Sequence, residues 1–278
     1  MKLVVSVAAC LLVAGASLAH DMFLLAPDHD FSGETPVTVW LYNGTFDKSE
    51  NAIDRDRMID VTVVDGEGGV THPTPDQWQD EEKVSILTFD AGAPGTHVVG
   101  VSTKPNMIDL TAEEFNDYLQ HDGVLDVLEA RRKSGSIDSS ANERYSKHVK
   151  MILQVGDGVT QSWDHRLGYP LEIVPLTDPS DLCPGDALKF DVLGNGEPVA
   201  GQLLYASFDG HHAHGEDGDH REAIATRTDE KGQGQIEISK PGRWYIRMIR
   251  MVESADEGVD YESNWATLTF EAKCKGGN

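Results

Sequence analysis

Basic residues are scarce in this sequence: 23 Lys and Arg stand against 47 Asp and Glu in 278 residues, a formal net charge of −24. A surface of that sign repels phosphate backbones and anionic lipid headgroups, which argues against nucleic acid or a membrane surface as a partner. Long apolar runs are lacking too. After residue 19 none approaches the ~20 residues that a helix needs to cross a bilayer, so no stable membrane insertion is expected. Catalytic signatures are missing as well: there is no G-x-S-x-G elbow, H-E-x-x-H helix, Walker loop or dinucleotide fingerprint. The chain reads as a binding protein and not as an enzyme.

Cysteine is the next scarcity, with 3 in the whole chain. Cys10 sits in the opening segment, which has the build of a cleavable export signal: a basic Lys2, the apolar stretch Leu3–Gly15, and the small-residue close Ala16-Ser17-Leu18-Ala19. Cleavage after Ala19 is expected to deliver a periplasmic or secreted protein that begins at His20. Cys183 and Cys274 then remain, an even pair in an oxidising compartment, and a disulfide between them is the expected outcome. No neighbouring Cys or His spacing favours thiolate metal ligation instead.

Short segments of alternating apolar and polar residues make up most of the rest. Pro36 to Leu41, Ile59 to Val64, Val84 to Phe89 and His97 to Val101 read as strands. Thr111 to Lys133 reads as helix, with Thr111 as N-cap, Glu113 and Glu114 in the first turn, Arg131, Arg132 and Lys133 at the end, and a break at Gly123. Arg144 to Val155 returns to period two, with Tyr145, Val149, Met151, Leu153 and Val155 on one side and Ser146, His148, Lys150 and Gln154 on a polar side. The proline-punctuated stretch Tyr169 to Pro179 reads as an extended linker. Beyond it, Ala187 to Val192, Gln202 to Phe208, Ala223 to Thr228, Gln235 to Ile238, Arg243 to Val252 and Trp265 to Glu271 form a second set of strands. The fold class expected is therefore mostly β, as two antiparallel, Ig-like β-sandwich units: residues 20–178, with a helical insertion near 111–133, and residues 179–278.

What is abundant is histidine in one place. His211-His212-Ala213-His214-Gly215-Glu216-Asp217-Gly218-Asp219-His220 gathers four imidazoles and three carboxylates between two expected strands. Neutral imidazole binds nickel, cobalt, copper and zinc well, so His211, His212, His214 and His220 are candidate ligands, against the bland reading of a solvated hairpin. His20 is the other candidate. Once its α-amino group is freed beside its own imidazole, the two can chelate one ion in a way no internal histidine can. His148 and His165 have weaker support and read as structural or surface residues, as do His29, His72, His97 and His121. Trp163, Trp244 and Trp265 read as core and not as a sugar platform.

Several pieces together resemble the extracytoplasmic family known as domain of unknown function 4198: His20-Asp21-Met22-Phe23-Leu24, Phe115 to Arg132, Arg144-Tyr145-Ser146-Lys147 and Leu167 to Pro179. Asp229 to Gly232, Pro241-Gly242 before Trp244, and Trp265 to Phe270 continue the likeness. The resemblance implies a β-sandwich fold and a periplasmic role associated with nickel or cobalt uptake, with a membrane metal transporter as partner. Copper and zinc suit the same donors chemically. Two rival functions stand beside this one. The first is a glycan- or protein-binding sandwich module without metal; the second is a copper enzyme with an amino-terminal histidine brace.

Overall fold

A computed structural model describes residues 20–27, 29–31, 36–211 and 223–274. Over these residues the chain is mostly β, arranged as three sheets with two α-helices. The first sheet runs in the order β1 (Asp21–Leu25), β3 (Val37–Gly44), β7 (Val84–Phe89) and β6 (Trp78–Glu81). The central sheet runs β15 (Ile224–Arg227), β14 (Leu203–Phe208), β17 (Gly242–Glu253), β18 (Tyr261–Ala272), β10 (Ala141–Val155), β8 (Gly95–Thr103), β4 (Met58–Val64) and β5 (Val70–Thr71). Two short strands, β2 (Asp30–Phe31) and β9 (Asn106–Leu110), also pair with β10. The third sheet holds β11 (Leu171–Pro175) on one edge of β12 (Ala187–Gly194), with β13 (Glu197–Pro198) and β16 (Gln233–Glu237) on its other edge.

The alternation seen in the sequence sorts side chains between the two faces of the central sheet. Val99, Val101, Val149, Met151 and Leu153 pack on Leu24, Val39, Leu41 and Leu87 of the first sheet. Val98, Ile152, Ile246, Met248, Leu268 and Phe270 point the opposite way, onto Ile173, Leu188, Phe190 and Val192 of the third. The helices α1 (Ala112–His121) and α2 (Leu125–Ser134) cover the remaining end of the first face, where Phe115, Tyr118 and Leu119 meet Tyr145, Ile249, Tyr261 and Trp265. Trp244 and Trp265 are core residues, as their places in alternating strands imply.

Local chemistry sets the helix ends. The Thr111 hydroxyl accepts from the Glu114 N–H at 3.3 Å and the Glu114 carboxylate accepts from the Thr111 N–H at 2.9 Å, a reciprocal cap. Gly123 stops α1 with a φ of 75°, a conformation glycine adopts without a Cβ penalty, and the Tyr205 ring leaves no room there for a side chain.

Three arrangements differ from the sequence-based reading. β10 pairs with β18 in parallel, Glu143 opposite Tyr261 through Met151 opposite Thr269, so one sheet runs continuously from the first half of the chain into the second. The stretch expected to be a linker contains β11, whose five residues are all buried. The side of β10 read as polar is covered by the third sheet: Lys150 is ion-paired to Glu172, both side chains 3% exposed, and His148 is held between Ser102 Oγ and Asn264 Oδ1, each at 2.9 Å. Alternation reports two unlike faces; it does not report which of them another sheet will cover. The disulfide forms as expected, Cys183 to Cys274, joining the approach to β12 with the end of β18. No helix among the described residues is long and apolar enough to cross a membrane.

A candidate site where the first strand begins

β1 is an edge strand, and the carbonyl of His20 just before it and the alternate carbonyls of Met22 and Leu24 within it are taken by side chains of the central sheet. Lys147 Nζ donates to the His20 carbonyl, Thr267 Oγ1 to Met22 at 2.8 Å, and Thr269 Oγ1 to Leu24 at 2.5 Å. On the inner side β1 pairs antiparallel with β3, from Asp21 opposite Gly44 to Leu25 opposite Trp40. The apolar segment after His20 therefore docks on the fold and holds His20 at the junction of the first sheet, the central sheet and the β9 strand. The His20 Nε2 atom lies 3.1 Å from Glu50 Oε2, with side chains 29% and 41% exposed.

Beneath this entry point is a buried cluster of charges. Asp21 Oδ2 is 3.4 Å from Arg247 Nη1, Arg247 Nη2 donates to the Asp122 carbonyl at 3.3 Å, and the guanidinium lies 5.4 Å from the centre of the Tyr205 ring. Glu143 accepts hydrogen bonds from the Tyr118 hydroxyl at 3.2 Å and from Ser263, and is itself fully buried. Lys147 lies 5.2 Å from the Trp265 ring centre, a cation on an aromatic face. Burial pushes the Lys147 ammonium down to about 8, opposed chiefly by the attraction of Asp21. Burial also pushes the Asp122 carboxyl well above the usual range, opposed by Arg247, and raises Glu143 against its hydrogen bonds from Ser263 and Tyr118.

In front of the cluster opens a cavity of about 340 Å³, whose wall includes His20, Asn43, Asn51, Arg57, Asn106, Tyr145 and Lys147. This combination was not evident from the sequence, although a signal was present. Lys147 falls in register with Tyr145 and Val149 on the apolar face of its strand, and Arg247 falls between Tyr245 and Ile249 in the same way. A charge in an apolar register is either an error of reading or a buried, partnered group.

The candidate metal ligands are distributed as follows. His20 lies on the side of the central sheet that carries Lys147. His211 follows β14, its ring 4.8 Å from Phe208, which itself packs on Trp244 at 4.6 Å on the side facing the third sheet. His212, His214 and His220 lie outside the described residues, as do residues 1–19. Among the described residues no group of three or more His, Cys, Asp and Glu side chains is placed to hold a metal ion. His148 faces away from His20, on the opposite side of β10 from Lys147, and the His165 carbonyl accepts from Lys150 Nζ at 3.1 Å. His97 is fully buried, its ring within hydrogen-bonding reach of the Gly95 and Ala91 carbonyls.

A family model described as Domain of unknown function (DUF4198) matches residues 17–251. No curated protein matches the chain. Among solved structures, alpha-2-macroglobulin from Salmonella is 15% identical over 95% of this chain and 15% of that one, with a TM-score of 0.27. The alpha-2-macroglobulin of Escherichia coli activated by porcine elastase is 14% identical over 91% of this chain and 20% of its own, with a TM-score of 0.25. The D0-D1 domain of intimin is 10% identical over 91% of this chain and 98% of its own, with a TM-score of 0.20. The chain thus spans under a quarter of the macroglobulins it matches.

Proposed function

The chain belongs to the DUF4198 family, and from that membership we propose that it is a periplasmic binding protein that takes up a divalent transition metal at a mature amino terminus formed by His20. The cargo on this reading is nickel or cobalt, passed on to a membrane uptake system, with copper and zinc as competitors for the same donors. The disulfide is in keeping with an oxidising compartment.

The observation that carries the reading is the contact between His20 Nε2 and Glu50 at 3.1 Å. A carboxylate at Nε2 holds the proton on that nitrogen and leaves the lone pair on Nδ1. Nδ1 is the nitrogen that closes a six-membered chelate ring with the residue's own α-amino group. Glu50 would thus orient the ring without itself touching the metal. The docking of β1 adds to this, because its clamped carbonyls keep the first residue from fraying. Two donors from one residue leave the other coordination positions to solvent, which suits a cargo that must be released.

Calorimetric titration of the mature protein with nickel, cobalt, copper and zinc tests this. An otherwise identical chain with one alanine added before His20 is expected to bind about 100-fold more weakly, since the chelate ring is lost. The Glu50→Gln variant is expected to lose about tenfold. Equal affinity for the mature and extended chains would overturn the assignment of His20 and leave the histidine loop as the metal site.

A further inference from the structure

The wall of the cavity beside His20 carries the opposite charge balance to the rest of the molecule. Acidic residues outnumber basic ones two to one in the chain, yet among the described residues Lys147 and Arg57 line this cavity and no aspartate or glutamate does. The carboxylates that attract Lys147, those of Asp21, Asp122 and Glu143, are not part of the cavity wall.

Lys147 has three N–H donors and gives two, to the His20 carbonyl and to Asn43 Oδ1 at 3.2 Å. Arg57 makes no ion pair among the described residues; its guanidinium lies 5.9 Å from the Tyr145 ring centre, with its five donors left for a ligand or water. The Tyr145 hydroxyl accepts from Asn106 at 3.0 Å, so its own proton is free to donate. Lys147 occupies the Asn43 carbonyl and leaves that amide's N–H groups. These donors come from separate elements around the cavity: β3, the turn Arg55–Arg57, and β10, with Asn106 of β9 bracing Tyr145.

A wall with two cations and, among the described residues, no carboxylate fits a ligand that carries negative charge on acceptor oxygens. A neutral sugar fits less well, because it leaves both cations without a counter-charge. The volume is at the small end for ligand sites. Donors spread over several elements suit a molecule with more than one carboxylate better than a single compact oxyanion. We propose that this cavity binds a small polycarboxylate anion of the citrate class. The site stands whether or not His20 carries a metal, since none of these donors is a metal ligand.

The test uses the mature protein stripped of metal with a chelator and desalted. Tricarballylate, which has the three carboxylates of citrate and is a weak chelator, is titrated by calorimetry, with inorganic phosphate and maltose as comparators. Tricarballylate is expected to bind with a Kd of about 100 μM or tighter. Arg57→Gln is expected to weaken it about tenfold or more, with no change in melting temperature, because a hydrogen bond to a charged group is lost and no ion pair within the protein is. Lys189→Gln on β12, remote from the cavity, should leave binding unchanged. Absence of binding at millimolar tricarballylate, phosphate binding as tight as tricarballylate, a preference for maltose, or an unchanged affinity in Arg57→Gln would each overturn the proposal. Because metal is absent throughout, this outcome is separate from the titration of the mature and extended amino termini.

Discussion

At the scale of the residue, buried polar side chains show what the fold demands. His148 reads in the sequence as a histidine on a polar strand face, yet it is 3% exposed and fully occupied: Nε2 donates to Asn264 Oδ1 and Nδ1 accepts from Ser102 Oγ. Burial pushes its imidazole below the usual value of 6.5, opposed by the Asn264 contact. A histidine with a depressed folded pKa contributes stability that is fully present above the unfolded value and lost as pH falls through the folded one. Wild-type protein should therefore lose stability as the pH drops below about 6.5. His148→Gln, which cannot charge, should flatten that part of the profile. Urea midpoints at pH 7 and pH 5 read this directly: an equal fall in both proteins would show that other groups govern it.

Lys147 teaches the complementary lesson. Its neighbours Tyr145 and Val149 mark its register as apolar, and the structure buries it beneath β1 with the His20 carbonyl and Asn43 as partners. The sequence places the charge on that face. It does not reveal the partner, because residue 20 lies on another strand and comes near only through sheet packing.

At the scale of the element, β11 shows how a proline-punctuated segment becomes part of the core. Glu172 is the reason it can be buried with a charge in it. Its carboxylate is ion-paired to Lys150 and also accepts from the Leu167 N–H at 2.7 Å and the Gly168 N–H at 3.1 Å. Lys150 in turn donates to the carbonyls of His165 and Ile173. Breaking a buried pair from one side leaves the other charge uncompensated, at a cost of about 3–5 kcal/mol. Glu172→Leu should reach that range, since it strands the ammonium and two backbone N–H groups together. Lys150→Met should cost less, because Glu172 keeps both N–H donors. Guanidinium unfolding of the two variants checks the order, and a larger loss in Lys150→Met would contradict it.

The helical pair was legible in advance for the opposite reason. Its start, its break and its end depend on Thr111 and Glu114, on Gly123, and on Gly135 with its left-handed φ of 79°, all contacts within a few residues. The burial of β11 depends on Lys150, 22 residues away in the chain, and on the third sheet closing over it.

At the scale of the whole molecule, the parallel seam between β10 and β18 decides how the two halves relate. Nine residue pairs join them, from Glu143 with Tyr261 to Met151 with Thr269, and the cores on both faces draw on both strands. A sheet shared in this way couples the halves. Unfolding followed by far-ultraviolet circular dichroism and by tryptophan fluorescence should therefore give one coincident transition. Two separated transitions would show that the halves fold independently. The disulfide adds to the same frame by closing a loop of 91 residues, which the chain-entropy estimate values at about 4–5 kcal/mol.

The sequence by itself determined the mostly β composition, the strand alternation, the capped and broken helix, the pairing of the two cysteines that follow residue 19, and the candidacy of His20. Each of these rests on local periodicity, on local capping chemistry, or on there being a single partner to choose. Only the tertiary structure decided that Lys147 and Arg57 line one cavity with His20, that Glu50 meets the His20 ring, and that Glu172 neutralises Lys150. It also decided that β10 runs parallel to β18. These arrangements join segments far apart in the chain, and their energies come from burial and from the satisfaction of buried charge, which exist only once the sheets have packed.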